Sequence, residues 1–449
     1  MGRLFGTDGV RGVANTELTA ALAYRLGMAG VAALSRERER PVFLIGKDTR
    51  ISGDMLEDAI SAGILSMGGD VIKAGVMPTP AVAWLVRHFR ADAGVVISAS
   101  HNPFEYNGIK LFSGEGFKLD DAIEDEIEGI MEAGGPERGH ISGGRLGRSL
   151  EVSEDALRSY GDFLKSLAGE GLKGMRIAVD CANGAAYEIA ERVFTELGAR
   201  VSMMGNAPDG TNINAGCGST HPERLQAMTL ECGADIGLAF DGDADRLIAV
   251  DEKGRLMDGD RIMYICARMM MRKGELGDGL VTATVMSNMG LTKALEGIGC
   301  RVQLTGVGDR YVLERMLGTG SVLGGEQSGH IIFLRHGTTG DGMLAALQLL
   351  RAVAFLGARP SELAEGVTIY PQVLRNAGVK AENRERYMRD GAVRAEIERI
   401  ERRMAGEGRV LIRPSGTEPL VRVMIEGSDL GRITGMAEGL AALITERLG

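Results

Sequence analysis

The feature that most constrains the fold is a regular alternation of short apolar runs with longer segments of helical periodicity. Six apolar runs have the length and composition of strands: 41–48, 93–100, 176–180, 234–241, 280–285 and 321–325. Four segments between or after them carry apolar residues at helical spacing: 19–35, 185–198, 259–271 and 342–357. This alternation predicts βαβ units with largely parallel sheets, in which ligands bind at the carboxyl ends of the strands.

The length of the chain predicts several domains. It has 449 residues, whereas a single core stops growing at roughly 250–300 residues. A Gly-rich, charged segment at 133–147 and a turn at 251–255 indicate boundaries, and the C-terminal part gives a charged helix and then two strands around a polar loop. We predict an α/β protein of three similar α/β domains with mixed sheets and a smaller C-terminal α+β domain: 1–150, 151–253, 254–368 and 369–449.

The net charge and the composition limit the kinds of partner and the compartment that we expect for this protein. A net charge of -10 argues against nucleic acid, which is bound by clustered basic residues. The five cysteines are far apart and form no C-x-x-C pair, which indicates reduced thiols. No stretch approaches the roughly 20 apolar residues of a membrane span. We therefore expect a cytoplasmic protein without nucleic-acid or membrane partners.

The motif "DGDADR" places Asp241, Asp243 and Asp245 directly after a predicted buried strand. Three close carboxylates repel one another unless a cation lies among them, and oxygen ligands suit Mg²⁺ or Ca²⁺. An EF-hand is excluded because its sixth loop position needs glycine, and Arg246 stands there. The alternatives are a magnesium site open to a phosphate oxygen and a solvated acidic turn.

The motif "SASHNP" places Ser100 where another predicted strand ends. Ser100 could cap the turn, or it could carry a phosphoryl group beside a metal. A hydrolase nucleophile is disfavoured because the G-x-S-x-G glycines are missing.

Two further polar loops offer groups that could bind a ligand. The segment 412–419 offers one guanidinium, two hydroxyls and backbone N–H groups for a phosphate, from Arg413, Ser415, Gly416 and Thr417. In "GEQSGH", Glu326 and Ser328 would lie on one side of an extended segment and could hold adjacent sugar hydroxyls. An ordinary turn and a polar strand end are the alternatives. Arg11, Lys47 and Arg50, in Gly-rich segments, could equally be exposed turn charges.

Taken in order along the chain, these motifs resemble the α-D-phosphohexomutase superfamily. The resemblance rests on "FGTDGVRG", "ISASHNPFEYNGIK", "DGDADR", "GVGDRYV", "GEQSGH" and "RPSGTEP", which together cover the whole chain. It implies four domains around a central cleft, with one motif from each domain.

The resemblance also implies a role for each candidate residue. Ser100 would be the phosphoserine, and its oxygen would join the three Asp residues around one Mg²⁺ per chain. Lys110 and Arg11 would face the reacting phosphate, and His330 and Arg246 would line the cleft. Proton handling would fall to Lys110, Arg11 or His330. Glu326 and Ser328 would hold the sugar, and the unreactive phosphate would be held by Arg413, Ser415, Gly416 and Thr417.

The implied activity is that of an isomerase, an intramolecular phosphotransferase working through a hexose 1,6-bisphosphate that also serves as activator. "GTDGVRG" and "GEQSGH", with Gln327 where relatives acting on glucose or mannose phosphates carry Met, are similar to the glucosamine branch. That branch interconverts glucosamine 6-phosphate and glucosamine 1-phosphate and feeds UDP-N-acetylglucosamine and cell-wall precursor synthesis. The alternatives are a glucose or mannose phosphate mutase, a Mg²⁺-dependent phosphatase and a non-catalytic sugar-phosphate binder. The resemblance further implies a homodimer and the loading of Ser100 by an activating kinase or by autophosphorylation.

Overall fold

A computed structural model describes residues 4–6, 8–34, 38–135, 141–169, 172–404, 406–415 and 418–449. The chain forms two compact units. The first comprises Met1–Met286 and Ile298–Gly366, and the second comprises Ser287–Gly297 and Val367–Gly449. The elements are given below in chain order.

The first sheet has six strands. Its region contains β1 (Val10–Val13), α1 (Ala20–Leu34), β2 (Val42–Lys47), α2 (Gly53–Ser66), β3 (Asp70–Val76), α3 (Thr79–His88), β4 (Ala93–Ile97), β5 (Tyr106–Ser113), α4 (Asp121–Glu132) and β6 (Ser149–Glu151). The strand order is β1-β5-β4-β2-β3-β6. Strands β4, β2, β3 and β6 are parallel, whereas β5 runs antiparallel to both β4 and β1.

The second sheet has five strands. Its region contains α5 (Ser153–Leu167), β7 (Arg176–Asp180), α6 (Tyr187–Glu196), β8 (Arg200–Met204), α7 (Glu223–Glu231), β9 (Ile236–Phe240), β10 (Leu247–Asp251) and β11 (Leu256–Met257). The strand order is β11-β10-β9-β7-β8, with β8, β7 and β9 parallel and β10 antiparallel to its neighbours.

The third sheet has four strands in the order β13-β12-β14-β15. This part of the chain contains α8 (Gly259–Lys273), β12 (Leu280–Thr284), α9 (Met289–Gly297), β13 (Arg301–Thr305), α10 (Asp309–Thr319), β14 (Leu323–Gly325), β15 (Ile331–Phe333), α11 (Gly342–Leu356) and α12 (Pro360–Ala364). Strand β15 is antiparallel to β14, and the other pairs are parallel.

One strand arrangement recurs in all three sheets. The orders β5-β4-β2-β3, β10-β9-β7-β8 and β15-β14-β12-β13 are equivalent. In each, a short buried strand ends in a polar loop, and the chain returns as an antiparallel neighbour. The three loops that carry "SASHNP", "DGDADR" and "GEQSGH" therefore occupy equivalent positions in their sheets.

The second unit is built on an antiparallel sheet of order β16-β18-β17. It contains β16 (Gln372–Gly378), α13 (Gly391–Met404), β17 (Gly408–Pro414), β18 (Leu420–Gly427) and α14 (Leu430–Leu448). Helix α9 also belongs to this unit: buried Glu426 accepts the N–H of Met289 at 3.0 Å and pairs with Arg409 Nε at 2.5 Å. The predicted charged helix and two strands are α13, β17 and β18, and β16 and α14 complete the domain.

Local sequence signals set several helix ends. Asp258 and Asp341 accept backbone N–H groups at the starts of α8 and α11, at 3.2 and 2.9 Å. Gly274 and Gly357 adopt left-handed φ angles directly after these helices, where a side chain would be strained. In the described part of the chain, no helix is long and apolar enough to cross a membrane.

The fold class predicted from the sequence is confirmed: three α/β domains with mixed sheets and a smaller C-terminal α+β domain.

Candidate active site

Ser100 lies in the loop that follows β4 and is buried. Its backbone has φ 51°, a left-handed conformation that costs a non-glycine residue about 1–2 kcal/mol and is concentrated at functional sites. Its N–H donates to Ser98 Oγ at 2.9 Å, and its hydroxyl donates to Asp241 Oδ2 at 2.6 Å. The turn therefore aims the Ser100 hydroxyl at the acidic loop of the second sheet.

Arg50 holds this turn in place. Its side chain is fully buried and pairs with Asp48 at 2.8 Å. The remaining guanidinium N–H groups donate, at 2.5 to 3.0 Å, to the backbone carbonyls of Ser100, Asn102, Pro103 and Tyr106. The expectation that Arg50 could be an exposed turn charge is therefore wrong, because the turn's own carbonyls enclose the guanidinium.

The three aspartates of "DGDADR" meet in one buried cluster. Asp241, Asp243 and Asp245 each offer an oxygen, and these atoms lie within 4.8 Å of one another. Asp243 Oδ2 accepts from Thr79 Oγ1 at 2.6 Å and from Lys110 Nζ at 2.8 Å. Asp243 Oδ1 and Asp245 Oδ1 are buried and lack a hydrogen-bond partner among the described residues.

The electrostatics of the cluster fit a divalent cation. Burial raises the pKa of Asp241, and the charges of Asp245 and Asp243 raise it further. Burial also opposes ionisation of Asp243, but the ammonium of Lys110 holds the pKa of that carboxyl below its usual range. Buried, unpartnered carboxylate oxygens are the ligands that Mg²⁺ or Ca²⁺ takes. The solvated acidic turn considered from the sequence is wrong, because all three side chains are buried.

Gly242 lets the two loops approach. A Cβ at this position would lie 2.5 Å from the carbonyl oxygen of Ser100 and 2.8 Å from Asn214 Nδ2. Asn214 Nδ2 itself donates to the Ser100 carbonyl at 2.9 Å. Asn214 was missed from the sequence, since no spacing ties it to the serine motif.

Two basic side chains contact the aspartates, and a third, Arg11, joins them through Asp8. Lys110, in β5, is buried; burial disfavours its ammonium, but Asp243 and Asp8 raise its pKa, so it stays protonated. Arg11 pairs with Asp8 through Nη2, and Arg246 Nε lies 3.7 Å from Asp245 Oδ1. The Nε atoms of both arginines are buried without a hydrogen-bond partner among the described residues. Such donors suit an anionic group.

His330 joins the site from the third sheet. Its Nδ1 lies 3.5 Å from Asp245 Oδ2, and its Nε2 accepts the N–H of Gly340 at 3.0 Å. A Cβ on Gly340 would lie 2.4 Å from the imidazole. The backbone at Gly340 therefore fixes the orientation of the ring.

The sugar-binding candidates lie in a turn between β14 and β15. The Gly329 N–H donates to the Glu326 carbonyl at 3.0 Å. The expected extended segment with Glu326 and Ser328 on one side is therefore wrong, because Gly329, with φ 94°, closes a turn. Glu326 Oε1 accepts the N–H of Gly308 at 3.1 Å. Gln327 Nε2 donates to Asp258 Oδ2 at 3.1 Å, so its amide serves the start of α8.

The C-terminal candidates lie in the second unit. Arg413 stands opposite Arg422 in the β17–β18 pairing, and burial, with the charge of Arg422, lowers the pKa of Arg413. Like charges directly opposite each other destabilise a sheet, which an anion would relieve. Ser415 Oγ accepts the N–H of Glu418 at 3.2 Å. Gly416 and Thr417 lie outside the described residues.

Four domain profiles of one family match the chain. They are described as the phosphoglucomutase/phosphomannomutase alpha/beta/alpha domains I, II and III and the C-terminal domain, and they match residues 2–138, 158–254, 258–370 and 376–443. The chain belongs to the phosphoglucomutase/phosphomannomutase family. It is therefore an enzyme of the isomerase class, a phosphohexomutase, and the superfamily resemblance is confirmed.

Relatives of known name match this family member over its full length. Phosphoglucosamine mutase from Clostridium acetobutylicum is 56% identical over 447 residues, covering 100% of both chains. Phosphoglucosamine mutase from Acetivibrio thermocellus is 54% identical over 450 residues, again covering 100% of both.

Solved structures share the fold. A phosphoglucomutase/phosphomannomutase family protein from Burkholderia thailandensis superposes with a TM-score of 0.83 at 24% identity, covering 99% of this chain and 97% of the other. Aspergillus fumigatus N-acetylphosphoglucosamine mutase, in complex with GlcNAc-6P and magnesium, gives a TM-score of 0.70 at 18% identity, covering 99% and 96%.

Proposed function

We propose that this phosphohexomutase interconverts glucosamine 6-phosphate and glucosamine 1-phosphate, with Ser100 as the phosphoryl carrier and a hexose 1,6-bisphosphate as intermediate. The observation that carries the proposal is the 2.6 Å contact between the Ser100 hydroxyl and Asp241, inside a buried cluster of three carboxylates. The choice of amino sugar is supported by full-length relatives that are named phosphoglucosamine mutase.

Asp241, Asp243 and Asp245 would hold one Mg²⁺, and an oxygen of phosphorylated Ser100 would complete the ligand set. When bound, the ion supplies positive charge that neutralises the phosphoryl oxygens. The left-handed turn, Arg50 and Asn214 keep the serine at the carboxylates before substrate arrives. Positioning of this kind provides much of the catalysis in phosphoryl transfer.

The basic side chains of the site would have different roles in binding the phosphoryl group and in proton transfer. Arg11 and Arg246 each have a buried Nε ready to donate to the transferred phosphoryl group. Lys110 stays protonated, so it suits charge neutralisation and proton donation better than proton removal. His330 takes part in proton handling, with Nδ1 directed toward Asp245.

The other candidates would hold the rest of the substrate. Glu326 and Ser328, in the turn before β15, would bind sugar hydroxyls. The unreactive phosphate would be held by Arg413, Ser415, Gly416 and Thr417. The opposed pair Arg413 and Arg422 supports an anion site in the C-terminal domain.

Three wider expectations accompany the proposal. The five free cysteines suit a reducing, cytoplasmic compartment. A homodimer stays a prediction, tested by light scattering of the purified protein. Loading of Ser100 by a kinase or by autophosphorylation stays a prediction as well, tested by mass spectrometry after incubation with ATP or with a hexose 1,6-bisphosphate.

The decisive experiment compares wild type, Ser100→Ala and the control Ser166→Ala, which changes an exposed serine of α5. Each is assayed with Mg²⁺ and a trace of hexose 1,6-bisphosphate on glucosamine, glucose and mannose 6-phosphates. Wild type and the control should form glucosamine 1-phosphate with the highest kcat/KM, and Ser100→Ala should form none. Preference for glucose or mannose phosphate would refute the substrate, full activity of Ser100→Ala would refute the carrier, and release of inorganic phosphate at the same rate would indicate a phosphatase.

A further inference from the structure

Lys118, between β5 and α4, links two carboxylates that are distant in sequence. Its Nζ lies 2.7 Å from Asp8 Oδ1 and 2.6 Å from Asp309 Oδ2. The side chain of Lys118 is only 19% exposed, and those of Asp8 and Asp309 are 27% and 22% exposed. Asp8 belongs to the N-terminal segment before β1, whereas Asp309 is the first residue of α10. One partly buried cation therefore ties the first α/β domain to the third.

Each of these carboxylates also contacts basic groups of the active site. Asp8 Oδ2 pairs with Arg11 Nη2 and lies 3.7 Å from Lys110 Nζ. Asp309 Oδ2 lies 3.7 Å from His330 Nε2. Arg11, Lys110 and His330 are thus each in contact with a carboxylate that Lys118 holds.

The charges explain why Lys118 is needed in this arrangement. Burial disfavours its ammonium, but Asp309 and Asp8 together raise its pKa above the ordinary value. In turn, although burial opposes ionisation, Lys118 and His330 lower the pKa of Asp309 to about 2. Without the cation between them, Asp8 and Asp309 would repel each other, and each would be left with incomplete charge compensation.

Each carboxylate lies in or beside a short irregular stretch of backbone. Asp8 lies in a turn next to an isolated bridge between Gly6 and Gly9. Asp309 follows Gly308, which has φ 129° and whose N–H donates to Glu326. A shift of Asp309 would therefore reach the sugar-binding turn as well as His330.

We propose that Lys118 is a positioning residue for phosphoryl transfer: by holding Asp8 and Asp309 together, it fixes Arg11, Lys110 and His330 against Ser100. The inference rests on the proposed function, in which those three side chains act on the transferred phosphoryl group. Within the described part of the chain, Lys118 pairs with Asp8 and Asp309 and with none of Ser100, Asp241, Asp243 or Asp245, so it acts through its two carboxylates.

The test compares the full-length wild-type enzyme with two variants of Lys118 and one control variant of Lys165. Lys118→Met removes the cation, and Lys118→Arg keeps it. The matched control is Lys165→Met: Lys165 also bridges two carboxylates, Asp162 and Glu196, but on the exposed side of α5. Lys118→Met should lower kcat at least about tenfold with KM changed less than about threefold, because misplacement near the reacting atoms affects the transition state most. Lys118→Arg should lose less, and Lys165→Met should match wild type.

Retention of the intermediate provides a second readout. If the first and third domains are held less firmly, the bisphosphate should escape more often, and Lys118→Met should need more added hexose 1,6-bisphosphate for full rate. A purely structural role would lower the amount of folded enzyme without changing this requirement. An unchanged kcat per folded enzyme, or an unchanged requirement for bisphosphate, would overturn the proposal.

Asp309→Asn keeps the test decisive if Lys118→Met does not fold. It should show the same fall in kcat at nearly constant KM. The kcat of the double variant with Lys118→Met and Asp309→Asn should be no more than about twofold below that of the less active single variant, since both changes break the same ion pair. Independent, multiplying losses would overturn the proposal, as would an Asp309→Asn enzyme with wild-type kcat. All comparisons are ratios on one substrate, so they hold for whichever hexose phosphate wild type converts. A preference for glucose or mannose phosphate would therefore refute the proposed substrate without bearing on the role of Lys118.

Discussion

Replacing Arg50 by lysine should loosen the Ser100 turn while keeping the positive charge at position 50. The guanidinium has five N–H donors, and all of them are used, one on Asp48 and four on loop carbonyls. A lysine ammonium has three, so at least two of these hydrogen bonds are lost. At about 1 kcal/mol for each lost hydrogen bond, the loop loses about 2 kcal/mol. That is a roughly 30-fold larger population of the open loop.

Hydrogen exchange of the 98–106 segment measures this directly, because exchange of a protected amide follows its local opening. Arg50→Lys should exchange roughly 30-fold faster there, and the rate of glucosamine 1-phosphate formation should fall. The control is Arg40→Lys, since Arg40 forms an exposed pair with Asp70 in the same domain and such pairs contribute little. Wild-type exchange and wild-type activity in Arg50→Lys would refute the idea that the guanidinium holds the serine in place.

Three further changes test other parts of the site. Gly242→Ala should lower kcat at least about tenfold, because its Cβ would lie 2.5 Å from the Ser100 carbonyl; steady-state kinetics at wild-type levels would contradict this close approach. Asp243→Asn should raise the Mg²⁺ concentration for half-maximal activity at least about tenfold. A chelator should abolish wild-type activity until Mg²⁺ is restored. If Asp243→Asn needs no more Mg²⁺ than wild type, Asp243 is not a ligand. Gln327→Met should cost about 1 kcal/mol of stability through its lost bond to Asp258, with no change in the preference for glucosamine over glucose phosphate. A preference that shifts more than about threefold in competing-substrate assays would restore Gln327 as a specificity residue.

Strands with a purely apolar signal could be predicted closely from the sequence. The run 176–180 coincides with β7, and 280–285 exceeds β12 by one residue. The antiparallel return strands β5, β10 and β15 could not be placed in the same way, because they begin beside polar motif residues and one of them buries Lys110. Burial of a charged residue in a strand is decided by the partner that meets it, here Asp243, and strand propensity does not report that partner.

The candidate site was predictable to the extent that its residues sit at strand ends. Ser100 and the three aspartates can be predicted because each motif follows an apolar run, and the structure brings them together. The sequence gives no signal for Asn214 and shows Arg50 only as a charge in a Gly-rich segment, since both act on backbone carbonyls, which carry no sequence signature. Period-two spacing predicts an extended segment at Glu326, because spacing alone does not reveal that Gly329 closes a turn there.

The repeated strand, loop and return strand explains why residues so distant in sequence converge in the first unit. Since β4, β9 and β14 are equivalent in their sheets, the repeat predicts that the loops after these strands contribute to one site. The repeat does not specify which charges meet across domains. Lys118 and Asp309 are 191 residues apart and belong to different repeats, so their pairing depends on how domains pack against each other, which no local pattern encodes. The residues that cannot be predicted from one sequence are therefore those that join the repeats. Replacing Lys118 would test the contact between the first and third domains most directly.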